Sequence, residues 1–289
     1  MRMHIFSAQH YGLLTIILWA TAFAFTPVAL AQFSSGSLAL IRCAIACLIF
    51  CWVIGRKTTA PRQKNDYIRF FFSGMAGFGI YTLIFTKGLE TLNPTTSCII
   101  VSTTPIITAL LARIFLKERI PHLGWLAIFL AFGGICLMML WRGTFAVDTG
   151  LLWTQAAAFS VSAFNIMQRD LAKRYSAIEI TAYSFFMGTL PLLFFAPQAL
   201  AEITSANSLP LGTALFLGIF PSALGYLSWA KALSLTTKTS RVTNLMFLTP
   251  FLALLLEFAV LKQLPDTGTF IGGAVILTSL ALFFAAREK

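Results

Sequence analysis

Charge is scarce in this 289-residue chain: Asp, Glu, Lys and Arg make up 11% of it, where a soluble domain averages about 25%. Histidine is scarcer, and the three present do not gather. His4 and His10 precede or open the first apolar stretch, and His122 stands alone beside Pro121. A membrane-embedded enzyme acting on lipids would need His, Asp, Glu or Ser groups converging near an interface, which this distribution does not offer. No GxxxxGK[ST] phosphate loop occurs, and no polar stretch is long enough for a nucleotide-binding domain, so direct use of ATP is excluded. The five cysteines (Cys43, Cys47, Cys51, Cys98, Cys136) all lie inside apolar stretches. Three of them recur every four residues, which reads as small apolar packing rather than as disulfide or metal chemistry. No cofactor and no metal are expected.

What abounds is apolar: 58% of the residues, against about 45 to 50% in soluble domains. A helix needs about 20 apolar residues to cross a bilayer. Ten such stretches occur, at 11–31, 35–54, 67–87, 95–116, 122–141, 150–168, 178–196, 209–230, 242–262 and 267–285. The loops between them are short, so the expected fold is an all-α polytopic membrane protein of ten transmembrane helices. The excess of 11 positive charges does not mark a nucleic-acid partner, because of its placement. With a cytoplasmic N-terminus, inside loops and termini hold 16 Lys or Arg and outside loops hold three, Lys87, Arg142 and Lys262; Arg42 and Arg113 are intramembrane. That bias places both termini inside. Arg2, an apolar run and "ALA" before Gln32 mimic a cleavable signal peptide. The run is long for a signal h-region, and its removal would break the repeat described next.

"TPIITALLARIFLK" at 104–117 returns 145 positions later as "TPFLALLLEFAVLK" at 249–262, with six of fourteen positions identical. Upstream, "IYTLIFTKGL" corresponds to "LGYLSWAKAL", with Lys87 at Lys231 after a one-residue gap. Agreement with the half-length and with a five-plus-five helix count implies duplication. The halves are expected as residues 1–145 and 146–289. Five is odd, so the second half enters the bilayer from the opposite side, the inverted-repeat plan that secondary transporters use around a midplane site. Pro105 and Pro250 then sit at similar depth on antiparallel helices, each freeing a carbonyl one turn earlier, at Val101 and Met246. They are either tolerated kinks or points of flexure at a gate.

Trp19 and Pro27 in the first span, Arg42 in the second, a Gly-rich third ("SGMAGFG"), a Pro in the fourth followed by "LKE", and a Gly-bearing fifth together resemble the EamA branch of the drug/metabolite transporter superfamily. The resemblance covers essentially the whole chain. It implies ten helices in two inverted EamA repeats and a transporter, typically an exporter of amino acids, related metabolites or toxic compounds. Gln263 stands where the pattern expects a Glu, opposite Glu118 of the first repeat.

Polar and aromatic residues inside apolar spans are the candidate substrate contacts. Near mid-depth lie Trp19, Phe23, Tyr81, Ser102 and Thr103; toward the inner end lie Asn165, Gln168, Tyr226, Trp229 and Asn244. An aromatic ring offers a flat apolar surface and, in Tyr and Trp, a polar handle. Trp229 and Gln168 also fit interfacial anchors, and Phe23 fits lipid contact. Charges at depth are costly and usually meaningful. Arg113, about 11 Å inward of its helix centre, is expected to snorkel to the inner surface. Arg42 and Glu257 share a depth, so Glu257 is either the partner of Arg42 in a structural strut or, unpaired, a proton carrier. The expected partners are a small-molecule substrate, membrane lipids and, in the proton-carrier alternative, protons, with the chain acting as a monomer in a bacterial inner membrane. A receptor or assembly subunit is the remaining alternative. Orientation is tested by cysteine labelling: an outside-only thiol reagent is expected to modify Ser205→Cys and to spare Lys64→Cys, and the reverse pattern would end the inverted model.

Overall fold

A computed structural model describes residues 7–54, 61, 63–141, 149–235 and 244–287. Among them the chain is entirely helical, with no strand. In order come α1 (Ala8–Leu30), α2 (Ser35–Ile54), α3 (Lys64–Gly74), α4 (Ile80–Gly88), α5 (Pro94–Val101), α6 (Thr104–Phe115), α7 (His122–Leu140), α8 (Thr149–Leu171), α9 (Ala177–Thr189), α10 (Ala196–Ser205), α11 (Ser208–Leu217), α12 (Tyr226–Leu235), α13 (Thr249–Leu261) and α14 (Thr267–Arg287). Helix starts follow local chemistry. Asn93 caps α5 by accepting from the Thr96 N–H, with Pro94 at the first position, and Ser176 with Glu179 forms a capping box on α9.

Among the described residues seven helical stretches are long and apolar enough to cross a membrane: 8–30, 35–54, 64–88, 94–115, 177–205, 208–235 and 267–285. Residues 122–138 and 249–261 are apolar but shorter. The 23-residue α8 is long enough but interrupts its apolar face with Gln155, Ser160, Ser162, Asn165 and Gln168. The seventh predicted span, 178–196, is longer than expected. The chain continues through a 3₁₀ segment (Leu190–Phe195) into α10, where an outside loop was expected.

The interruptions repeat. A π-helical segment, Met75–Gly79, separates α3 from α4, and a second, Gly218–Gly225, separates α11 from α12. Thr-Pro opens both α6 and α13, preceded in one half by a turn at Ser102–Thr103 and in the other by a 3₁₀ segment, Asn244–Leu248. The echo ends in the same backbone state as well: Lys117 and Lys262 adopt φ 56° and 55°, a left-handed conformation uncommon outside glycine.

The two halves lock by a reciprocal exchange. The Thr15 hydroxyl of α1 shares its one proton between the Tyr11 carbonyl of its own helix, at 2.9 Å, and the carbonyl of Gly225 at the end of the second π-segment, at 3.2 Å. The carbonyl of Ala76, in the first π-segment, accepts from Ser160 Oγ of α8 at 2.7 Å. Thr15 and Ser160 are 145 residues apart, the spacing of the sequence echo. Widening to i+5 disturbs the regular ladder, and lipid supplies no water to a carbonyl left over, so a hydroxyl from the other half takes it.

Packing at the centre brings backbones into contact. A Cβ at Gly74 would be driven into the carbonyl oxygen of Ser184, and one at Gly188 into that of Gly74. Small residues of this kind are what let membrane helices approach closely. Beyond them a core of α2, α9 and the second π-segment surrounds Phe50, Phe78 and Phe185. At one end Asp66 is buried and held by Arg174, at 2.8 Å, and by the Tyr175 hydroxyl, at 2.6 Å. Arg69–Asp170 and Arg169–Glu118 pair beside it. At the opposite end the Ser34 N–H donates to Glu202 at 3.0 Å, and Ser35 donates to Glu90.

Substituting Gly188 by Leu is expected to destabilise the fold by about 3 kcal/mol or more, because backbone cannot yield as a side chain can. Gly212, whose added Cβ meets nothing within 4 Å, is the control. Gly212→Ala should leave stability in detergent, read by the melting temperature, unchanged or raised by about 1 kcal/mol at most.

Candidate functional site

Each π-segment is followed at once by a tyrosine: Tyr81 is the second residue of α4 and Tyr226 the first of α12. Around them the structure gathers four more of the residues singled out from sequence. The Trp19 ring lies 5.1 Å from Tyr226 and 5.2 Å from Trp229. Phe23 meets Phe85 edge-on at 5.1 Å, and Tyr81 stacks on Phe85 at 5.7 Å. Arg42 sits over the same Phe85 ring, 5.8 Å from its centroid, and its Nε donates to Ser222 Oγ at 3.3 Å. Trp19, Tyr81, Tyr226 and Trp229 remain half-buried, whereas Phe23, Phe85 and Arg42 are buried. Gly225 makes room for the indole, since a Cβ there would lie 3.0 Å from Trp19 Nε1.

Other candidates stand elsewhere. Ser102 and Thr103 turn their hydroxyls back to the carbonyls of Cys98 and Ile100, at 2.8 and 2.7 Å, in the turn between α5 and α6. Asn165 and Gln168 bond to one another at 3.2 Å on α8, and Asn165 reaches Thr108 of α6 at 3.4 Å. The Asn244 side chain lies outside the described residues. Pro105 is half-buried and Pro250 buried, each in the first turn of its helix. The carbonyl that Pro105 frees, on Val101, is taken by Thr104 Oγ1 at 2.6 Å. Arg113 is exposed and donates to the Glu118 carbonyl at 3.4 Å.

The expected strut between Arg42 and Glu257 is absent: no ion pair joins them. Glu257 is fully buried, and its Oε2 accepts from the Thr95 N–H at 2.8 Å. That amide is one of the unpaired donors of the first turn of α5, where the helix dipole favours negative charge. A shared depth was therefore not enough; a helix N-terminus at the same level supplied what a cation would have. The second carboxylate oxygen, Oε1, and the Thr95 hydroxyl are buried without hydrogen-bond partners. Nearby, Thr95, Pro250, Phe251, Leu254 and Thr269 border a cavity of about 370 Å³ between α5, α13 and α14.

The remaining acidic groups among the described residues are engaged away from Arg42. Asp66, Glu90, Glu118 and Asp170 pair with other cations, and Glu179, Glu202 and Asp266 accept from the backbone N–H groups of Ser176, Ser34 and Thr269. Sequence reasoning missed Ser222, Phe85 and Thr95. Thr95 had a signal, the Asn93-Pro94 helix start; Ser222 and Phe85 had none beyond lying in apolar spans.

Two duplicated helical halves, long apolar helices and an aromatic seam between them define a multi-pass membrane protein of the transporter class. Residues 7–140 and 148–285 each match the EamA-like transporter family, and the chain belongs to it. It is 28% identical over 278 residues to the uncharacterized transporter YdfC of Bacillus subtilis (strain 168), covering 96% of this chain and 90% of that one. It is 25% identical over 269 residues to a probable terminal-alkyne amino-acid exporter of Streptantibioticus cattleyicolor, covering 93% and 90%. A crystal structure of a protein 17% identical superposes with a TM-score of 0.64 over 98% of this chain and 99% of that one, a likeness of fold. Both relatives carry the names of transporters.

Because its partner is an amide, Glu257→Gln is expected to fold near wild type, the carboxamide oxygen accepting from Thr95. Glu257→Leu, which leaves that N–H unpaired, should lose about 1 to 3 kcal/mol. The double exchange Glu257→Arg, Arg42→Glu should not recover folding; a recovered yield and melting temperature would restore the strut.

Proposed function

We propose that this chain is a secondary transporter of a bacterial inner membrane that exports small amphipathic metabolites, either amino acids and related compounds or toxic organic compounds, by alternating access. All ten helical stretches cross the membrane in this reading, the seven longest together with α7, α8 and α13. The halves are inverted repeats, 1–145 and 146–289, both termini face the cytoplasm, and the chain acts as a monomer. Transport is driven by an ion gradient or by exchange, with protons one candidate.

The observation that carries this reading is the ring cluster at the seam, with Trp19, Phe23 and Tyr81 contributed by the first half and Tyr226 and Trp229 by the second. A solute held there touches both halves, so a rocking of one against the other can expose it to either side. The π-segments beside both tyrosines and the Thr-Pro breaks of α6 and α13 are where regular helix is already interrupted. Such interruptions give a helix a place to flex. The reported name of the Streptantibioticus relative supports a solute of amino-acid type.

Reconstitution in liposomes with a panel of amino acids, polyamines and quaternary amines tests the proposal. The wild-type chain should move at least one solute unaided. Trp19→Ala and Tyr81→Ala should each lower that flux by about tenfold or more while folded yield falls much less. Parallel loss of flux and yield would mean that the rings merely pack, and a wild-type chain that moves nothing in the panel would count against transport.

A further inference from the structure

The site holds two buried N–H donor atoms, one on Arg42 and one on Trp19, that meet no acceptor among the described residues. Arg42 is 6% exposed, and its Nη1 is buried without a hydrogen-bond partner. Trp19 Nε1 is likewise buried without an acceptor. A buried cation without a counter-charge is expensive, and a buried donor left unmade costs its desolvation. Among the described residues no carboxylate of the chain is free to serve Arg42, since each is engaged elsewhere.

The residues that carry these donors stand against the same stretch of the second half. Ser222, the partner of Arg42 Nε, Gly225, which the indole Nε1 overlies, and Tyr226, which the Trp19 ring contacts, stand within one turn of the chain where the second π-segment passes into α12. Tyr226 and Tyr81 both lie within electrostatic range of the guanidinium. The walls are aromatic, with Phe85 beneath the guanidinium and Tyr81 stacked on Phe85. What is missing is an acceptor with negative charge, carried by a molecule whose remainder suits rings.

We propose that the solute bound at this seam is an amphipathic carboxylate, its carboxylate taken by Arg42 and the Trp19 N–H and its apolar part laid against Phe85, Tyr81 and Tyr226. A guanidinium matches a carboxylate with two parallel donors, and such charge-assisted pairs are the strong ones. Of the two substrate groups offered above, this selects amino acids and related acids over toxic organic compounds that lack a carboxylate. The inference rests on the transporter reading.

The test uses the full chain in detergent and four probes that differ in charge on one skeleton: 3-phenylpropionate, L-phenylalanine, phenylalanine methyl ester and 2-phenylethylamine. Melting temperature and direct binding are read for each, followed by flux in liposomes. One or both acids should stabilise the wild type, by mass action on the folded state, while the ester and the amine do not. Arg42→Lys, which keeps the charge but loses the fork, should weaken acid binding by about tenfold or more. Trp19→Phe, which keeps a ring but removes the N–H, should weaken it by a smaller factor. Arg42→Met should abolish it; if that variant fails to fold, the acid-against-ester comparison on the wild type and the Lys variant still decide. Ester and amine binding as tightly as the acids would overturn the carboxylate assignment and leave transport standing. Acid binding unchanged in Arg42→Lys and in Trp19→Phe would overturn the role of these donors. No shift and no flux with any of the four would count against both readings.

Discussion

The reciprocal hydroxyl-to-carbonyl exchange between the halves is the interaction on which the rest of this structure depends. Each half interrupts one helix with a π-segment, which disturbs the regular hydrogen-bond ladder there. In water that would be trivial; among apolar helices it requires a partner. Thr15 and Ser160 supply it from opposite halves, so α1 is pinned to the second π-segment and α8 to the first. The neighbouring side chains follow. Trp19, one turn beyond Thr15, lands on Gly225, and Phe164, one turn beyond Ser160, lands on Gly77. Aromatic contact across the seam is thus a consequence of backbone accounting.

Two intramembrane charges are handled in different ways by the same scaffold. Glu257 is stabilised by peptide dipoles at the start of α5, a solution that needs no mobile side chain and no cation. Arg42 has only a serine oxygen and the face of Phe85. A ring quadrupole and a hydroxyl dipole offset part of the desolvation of a guanidinium but bring no negative charge. Glu257 thus keeps one oxygen on the backbone and one without a partner, while Arg42 keeps its Nη1 without an acceptor beside the seam.

Much of the site was legible because polar and aromatic residues are conspicuous in an apolar chain. Trp19, Phe23, Tyr81, Arg42, Tyr226 and Trp229 stood out by type and converge in space. Ser102 and Thr103 stood out equally, yet serve their own helix at the break before Pro105, because a hydroxyl one turn from a carbonyl has a local partner always within reach. Residue type alone does not separate these cases. Nor does depth: Arg42 and Glu257 were matched by level along their helices, and the choice between cation and helix N-terminus turned on which face of α13 looks toward α5.

Composition, the run lengths of apolar residues and the 145-residue echo by themselves determined that this is a helical membrane protein of two related halves, and the motifs spread along it determined its family. Those properties are written in one dimension, since hydrophobic length and repetition survive any rotation of a helix about its axis. Only the tertiary structure decided that both halves carry a π-segment, that Thr15 and Ser160 trade places across the seam, that Thr95 rather than Arg42 faces Glu257, and that Arg42 is left with an unfilled donor. Each of these depends on the azimuth of one helix against another, and in a span that is apolar on every side the sequence pattern does not specify that azimuth.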